Sequence, residues 1–125
     1  SYELDFLMFL DLVMDFPYED IMSPSPHTFF YEYEGKKHFY IPDVFIPSLN
    51  LEIEIKDGGD NPNTHPKIQA VDKVKEQLKD AVMGDKSVPF NYIKIVNKEY
   101  KKFFRYLETA KEYDAKGITK KIYMP

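Results

Sequence analysis

The chain has 125 residues, of which 43% are hydrophobic and 30% are charged. This is enough apolar mass for one compact domain with one buried core, but not for two. Cysteine is absent, which excludes a disulfide framework, a thiolate metal site and a cysteine nucleophile. With only three scattered histidines, a structural zinc site is not expected, so any metal should be held by oxygen ligands.

Membrane and export signals are missing from the sequence. No apolar run approaches the roughly 20 residues that a membrane span needs, and no charged segment, apolar stretch and cleavage site form a signal peptide. We therefore expect a soluble, cytoplasmic protein with no membrane partner. The chain opens at its first predicted helix without Met, which is compatible with a domain from a larger parent protein.

Charge is distributed unevenly along the chain. Residues 1–55 contain two Lys and eleven Asp or Glu, whereas residues 56–125 contain fifteen Lys or Arg and ten acids. The overall net charge of −4 would argue against a nucleic-acid partner, because phosphate binding depends on Lys and Arg. The basic second half restores that possibility.

The first predicted element is a helix over residues 2–14, where apolar side chains recur at steps of three and four. This spacing suits a helix that other elements largely cover. Pro17 ends the helix, and the Pro- and Ser-rich stretch 16–26 is a predicted connecting loop.

Three antiparallel strands are predicted next. Residues 28–33 and 38–46 are mostly aromatic or β-branched, and a Gly-containing turn joins them. A second turn, residues 47–50, leads into residues 51–56, where apolar and charged side chains alternate. A period of two is typical of a strand with one face on a core.

The rest of the chain is predicted to add a helix, a strand and a second helix. Pro and Gly mark the start and the end of a helix over residues 66–84. Residues 90–96 form a strand, and Asn97 is a predicted N-cap for a helix over residues 98–115. The resulting α/β order is αβββαβα, a mixed β-sheet flanked by helices.

One face of the strand 51–56 concentrates ionisable groups. Alternation places Glu52, Glu54 and Lys56 together, opposite an apolar face. If the preceding turn pairs residue 46 with residue 51, Asp43 lies directly across from Glu54. Cross-strand Cβ atoms are roughly 4.5–5.5 Å apart, and like charges at that distance repel each other. A divalent cation would offset this repulsion.

The chemistry of magnesium fits this pair. Mg²⁺ prefers oxygen ligands, retains waters and is commonly held by one or two carboxylates with substrate phosphate. Asp43 and Glu54 supply the carboxylates, and the peptide oxygen of Ile55 is a further candidate ligand. Such an ion polarises a phosphodiester and activates water, while the Lys56 ammonium orients the nucleophile and stabilises charge. The sequence therefore predicts a Mg²⁺ or Mn²⁺ site.

These residues resemble a known family. Pro42-Asp43, followed after ten residues by Glu54-Ile55-Lys56, is similar to the motif of the PD-(D/E)XK nucleases, the restriction endonuclease-like superfamily, and looks most like its small phage and mobile-element endonucleases. The resemblance implies a restriction endonuclease-like αβββαβ core and metal-dependent hydrolysis of DNA. It also implies metal ligation by Asp43 and Glu54, with Lys56 as a catalytic residue.

Two features of the family, on the helices before and after the motif, have no unique counterpart in this sequence. Family members often carry an acid on the first helix that extends the metal site, for which Glu3 is preferred over Asp5 and Asp11. Some members carry a polar or basic residue on the second of these helices, for which Lys73, Lys75 and Gln77 are candidates. On helix 66–84, Lys75 and Lys79 form one exposed line that could contact a DNA backbone.

Other conspicuous residues have simpler interpretations. His65 precedes a helix, where a turn or capping role is favoured over contact with substrate. Glu52 is expected to flank the site or to be neutralised by Lys56. The many Tyr and Phe side chains are expected in the core, since a small sheet needs large apolar groups, rather than on an exposed base-stacking platform.

The expected function is a Mg²⁺- or Mn²⁺-dependent endonuclease acting on DNA. A homodimer and a larger parent protein are both compatible with this function. Two alternatives stay open. A ribonuclease would use the same residues, and a catalytically inactive nuclease-like fold would act as a DNA- or protein-binding module.

Overall fold

A computed structural model describes residues 1–58, 63–117 and 121–122. The described residues form a mixed α/β fold in which helices pack against a mixed sheet. No helix among them is long and apolar enough to cross a membrane. The helices are α1 (Tyr2–Met8), α2 (Pro66–Gly84) and α3 (Lys101–Ala115), and the strands are β1 (Phe29–Tyr33), β2 (Lys36–Tyr40), β3 (Val44–Ile46), β4 (Leu51–Lys56) and β5 (Asn91–Val96).

The first helix forms where the apolar spacing predicts it. Ser1 caps α1 by accepting a hydrogen bond from the Leu4 amide, and the helix continues as a π-helical turn over Phe9–Val13. Phe6 and Leu10 are fully buried. The opposite side of the helix remains exposed, with Leu12 71% accessible, so the expectation of a largely covered helix is wrong.

The predicted second strand divides into β2 and β3, and Pro42 lies between them. Proline has no N–H and a fixed φ, so it interrupts a strand ladder. As a result β1 and β2 form a two-stranded antiparallel sheet of their own, while β3 joins β4 and β5. The prediction of one continuous three-stranded antiparallel sheet is therefore wrong.

The second turn has the predicted register. Pro47–Leu49 is a short 3₁₀ turn, and Asn50 closes it in the left-handed region with φ 49°, a conformation that Asn tolerates better than most residues. Ile46 pairs with Leu51 across the β3–β4 ladder, as predicted. Strand β5 lies parallel to β4 on its other side, which confirms a mixed sheet with β4 at its centre.

The last helix begins later than predicted. Asn97 and Lys98 both have positive φ, at 54° and 59°, so neither lies in a helical first turn. Asn97 is not the predicted N-cap; its side-chain oxygen instead accepts a hydrogen bond from the Gly58 amide at 2.8 Å. The predicted bounds of α2 are confirmed.

Buried apolar side chains form two clusters. The larger cluster joins β3, β4 and β5 to α1 and α3, with Ile53, Ile95, Phe6, Phe103 and Tyr106 among its members. The smaller one lies between the β1–β2 hairpin and α2 and contains Tyr31, Tyr40 and Met83, with Tyr92 packed against it. Because side chains alternate along a strand, the two clusters lie on opposite faces of the β3–β4–β5 sheet.

Candidate functional site

The charged face of β4 is buried rather than open to solvent. Glu52 is 0% exposed and Glu54 5% exposed. Sequence alternation separates an apolar face from a charged one, but it does not reveal that the β1–β2 hairpin and α2 cover the charged face. Carboxylates in such a place need partners, because desolvation penalises their charged form.

Asp43 and Glu54 meet at the edge of this face. Asp43 immediately precedes β3, and the Val44–Ile53 pairing places it opposite Glu54, as the sequence predicts. Its Oδ2 accepts a hydrogen bond from the Ile55 amide at 2.8 Å. Burial raises the pKa of Glu54, and the hydrogen bond and negative charge of Asp43 raise it further, to about 8. Near neutral pH a proton therefore offsets the repulsion between the two groups.

The peptide group of Ile55 faces the same position. The Lys56 carbonyl accepts a hydrogen bond from Asn97, on the β5 side of β4. Peptide groups alternate in direction along a strand, so the Ile55 carbonyl points to the β3 side, where its amide already contacts Asp43. The Ile55 carbonyl, which the sequence suggested as a ligand, therefore lies on the same side of β4 as Asp43.

Two tyrosines that sequence reasoning missed complete the surroundings of Glu54. The Tyr40 hydroxyl donates a hydrogen bond to Glu54 Oε2, and the Tyr92 hydroxyl lies 3.5 Å from that of Tyr40. Burial raises the pKa of both phenols, so they remain donors. Both belong to aromatic or apolar runs whose only sequence signal was β-propensity.

Lys56 lies beside the pair and contacts helix α2. Its Nζ is 3.2 Å from Glu76 Oε2, and the ammonium groups of Lys94 and Lys79 approach the same carboxylate at 3.4 and 3.7 Å. Burial alone would raise the pKa of Glu76, but the three cations hold it below its usual range. Glu76 and Lys94 were not predicted; their roles depend on how α2 crosses the sheet, which no local pattern encodes.

A cleft of about 420 Å³ opens next to Lys56, between the end of β4 and helix α2. The predicted substrate residues Lys75 and Lys79 both line it. Their ammonium groups also lie over the rings of Tyr33 and Tyr40, 5.5 and 5.1 Å from the centroids. Cationic and polar side chains thus dominate this opening, with Lys56, Lys73, Lys75, Lys79, Thr64 and Gln69 lining it together with Asp57, Asp72 and Glu76.

His65 has the capping role that its position favours. Its Nδ1 accepts a hydrogen bond from the Lys67 amide at 3.1 Å, at the first turn of α2. This contact fixes the entry into the helix, and His65 does not line the cleft.

Of the three acids on the first helix, Glu3 lies on the side of Asp43. Ser23 bridges them, because its hydroxyl is 3.3 Å from Glu3 Oε1 and 2.9 Å from the Asp43 carbonyl oxygen. Asp5 instead pairs with Lys98 at 2.7 Å. The preference for Glu3 over Asp5 is thus compatible with the fold, although Glu3 reaches the backbone of Asp43 through a hydroxyl rather than its carboxylate.

Glu52 belongs to a different cluster from the one expected. Its Oε1 accepts a hydrogen bond from the Ser25 hydroxyl at 3.0 Å and lies 2.5 Å from His27 Nδ1. It does not pair with Lys56, which contacts Glu76. The His27 ring stacks on Phe90 with centroids 4.1 Å apart. This cluster fastens the loop before β1 to the sheet.

The carboxyl pair supplies only two side-chain ligands for a metal ion. Within residues 1–58, 63–117 and 121–122, no group of three or more His, Cys, Asp or Glu side chains is placed to hold a metal ion. A cation at Asp43 and Glu54 would therefore complete its ligands with the Ile55 peptide oxygen and water, as Mg²⁺ commonly does.

The chain was compared with protein-family models, with curated proteins and with solved structures, and nothing matches it.

Proposed function

We propose that this protein is a Mg²⁺- or Mn²⁺-dependent endonuclease that hydrolyses phosphodiester bonds in DNA, built on a restriction endonuclease-like αβββαβ core. One observation carries the proposal. The carboxyl groups of Asp43 and Glu54 meet beside a lysine-lined cleft, and Lys56 joins the pair to that cleft.

The residues present fit a divalent cation. The buried carboxyl pair, in which burial and Asp43 raise the pKa of Glu54 to about 8, offers two oxygen ligands when both groups are ionised, and the Ile55 carbonyl is directed to the same side. Two carboxylates with waters are a usual environment for Mg²⁺. When bound, the cation would supply positive charge to the phosphate oxygens and make a neighbouring water more acidic.

The protein groups have separate tasks. Asp43 is oriented by the Ile55 amide, and Glu54 by the Tyr40 hydroxyl, so both carboxyls are fixed before substrate arrives. Lys56 projects a positive charge next to them and would stabilise the charge that develops on phosphorus oxygens. Glu76 holds the Lys56 ammonium in place and so acts as a positioning residue.

The cleft supports a polyanionic substrate. Four lysines and three acids line it, and one of the acids, Glu76, is paired with Lys56 and Lys79. The lysines belong to the basic second half of a chain whose first half is strongly acidic. Lysine contacts to phosphates supply most of the sequence-independent affinity of DNA-binding proteins. The predicted substrate contacts of Lys75 and Lys79 therefore remain part of the proposal.

A second candidate function is binding without cleavage. Glu54 is 5% exposed, and Lys56 is already engaged by Glu76, which is how a nuclease-like scaffold would look if it had lost its chemistry. Such a module would retain the lysine cleft and bind nucleic acid, but it would bind no divalent cation.

A plasmid-nicking assay with Mg²⁺ or Mn²⁺ tests the proposal, using wild type, Asp43→Asn and, as a matched control, Asp15→Asn. Asp15 is an exposed carboxylate of the same acidic half of the chain. We expect nicking by wild type and by the control, and a loss of about 10²- to 10³-fold in Asp43→Asn. Binding of DNA without nicking in any metal would overturn the nuclease assignment and support the binding module.

A further inference from the structure

The outer face of the β1–β2 hairpin carries an exposed aromatic pair. Phe30 and Phe39 face each other across the ladder and are 51% and 69% exposed. Their strand neighbours Tyr31 and Tyr40 point inward and are buried. The two phenyl rings belong to neither buried cluster, and they are exceptions to the expectation that the Tyr and Phe side chains lie mostly in the core.

Positive charge accompanies this pair. The ammonium of Lys37 lies over the Phe30 ring, 4.2 Å from its centroid. Lys36 and Lys37 are the only Lys or Arg residues among the first 55. Alternation places Lys37 on the outer face with Phe39, across the ladder from Glu32, and Lys36 on the inner face. A cation and stackable rings on one surface are the combination that binds the phosphates and bases of a single-stranded nucleic acid.

The pair is also close to the carboxyl site. Phe39 directly precedes Tyr40, whose hydroxyl holds Glu54 on the inner side of the hairpin. Along the chain, Phe39 and Asp43 are four residues apart, which spans at most roughly 14 Å. A strand whose bases stack on the outer face could therefore continue to the site within a few nucleotides.

We propose that Phe30 and Phe39, with Lys37, form a stacking platform for unpaired bases, so that the substrate is a nucleic acid with a single-stranded segment next to the bond that is cut. Bases within a duplex already stack on their neighbours and would have no free face for the rings. The inference rests on the proposed function, because it assigns a substrate class to that same site.

The test measures binding in EDTA, so that it does not depend on cleavage. The probes are a fluorescein-labelled oligothymidylate of about 20 nucleotides and a duplex of the same length, followed by anisotropy. Phe30→Ser/Phe39→Ser should weaken binding of the single strand about 5- to 100-fold, with much less effect on the duplex. Phe39→Tyr keeps a stackable ring and should retain affinity. Tyr18→Ser, which removes an aromatic side chain that is 88% exposed elsewhere, should change nothing.

Three results would overturn the platform. Single-strand affinity could be unchanged in the double variant, or single strand and duplex could lose affinity equally. The third result is a dimeric wild type and a monomeric double variant in sedimentation, with single-strand affinity unchanged. The two rings would then be an interface between copies of the chain. Cleavage by wild type of a duplex with a single-stranded tail, together with unchanged single-strand affinity in the double variant, would refute the platform alone. Platform-dependent binding with no cleavage of that tailed duplex or of plasmid, in Mg²⁺ or in Mn²⁺, would refute the endonuclease alone.

Discussion

The side chains on both faces of strand β4 are buried, but what stabilises them differs between the two faces. On one face Leu51 and Ile53 are 0% exposed and pack into an apolar core. On the other, Glu52 and Glu54 are buried almost as deeply, yet each needs a specific partner to be tolerated there. Apolar burial stabilises without direction, whereas buried carboxyls cost free energy unless hydrogen bonds, protons or cations compensate. The second face is therefore the one expected to bear function.

The largest expected effect is on the apolar face. Ile53→Ala removes buried methyl groups from the main cluster and should lower the free energy of unfolding by about 2–5 kcal/mol. Glu54→Gln keeps the shape and the hydrogen-bonding capacity of the side chain, so its cost near pH 5 should be below about 1 kcal/mol. Urea unfolding of both variants measures the difference. Equal losses would mean that the polar face is as much a structural core as the apolar one.

The next effect concerns catalysis. Asp43→Asn should reduce nicking about 10²- to 10³-fold, because it removes one charged ligand of a two-carboxylate site, while the melting temperature changes little. Steady-state nicking rates and thermal denaturation of the same preparation measure the two quantities. A variant that nicks at the wild-type rate would exclude Asp43 from the site.

A smaller effect on the nicking rate should distinguish the two lysines that contact the Glu76 carboxylate. Lys56 and Lys94 both contact Glu76. Lys56 lines the cleft and its charge acts on Glu54, whereas Lys94, although it lies across the ladder from Glu54, has its ammonium 2.8 Å from Asp80. Lys56→Met should lower the nicking rate by up to about 100-fold, because it removes a charge that stabilises the phosphorus oxygens. Lys94→Met, the control, should leave the rate within a few fold of wild type. Similar losses in both variants would show that the Glu76 network, and not Lys56 itself, is what matters.

The smallest effect is a pH dependence of stability. Because the folded pKa of Glu54, about 8, lies above its ordinary value of 4.5, the folded state binds that proton more tightly than the unfolded chain does. The resulting stabilisation is complete below about pH 4.5 and is lost as the pH rises through about 8. Urea unfolding at several pH values should show this decline in wild type and a flatter profile in Glu54→Gln; parallel profiles would contradict it.

Local patterns account for much of the fold. Alternation in residues 51–56 and the turn before them predicted the β3–β4 register, and Pro66 and Gly84 predicted the bounds of α2. Pro42 also carried a local signal for the break between β2 and β3, but the aromatic run around it concealed that signal.

The surroundings of the site were not predictable in the same way. The contacts of Glu54 with Tyr40 and of Lys56 with Glu76 join residues from elements whose relative placement depends on tertiary packing. Periodicity identified which side chains share a face of β4, but not that the hairpin and α2 would cover that face. For the same reason the partner of Glu52 proved to be His27 rather than Lys56.

Calorimetric titration of Mg²⁺ and Mn²⁺ near pH 7, in buffers of different ionisation enthalpy, tests the central claim most directly. A cation that displaces the proton held between Asp43 and Glu54 should bind wild type with release of about one proton per ion. Glu54→Gln should bind without that release, or not at all, and the surface control Glu19→Gln should match wild type. The absence of binding by folded wild type, or binding unchanged in Asp43→Asn, would contradict a cation site at this pair.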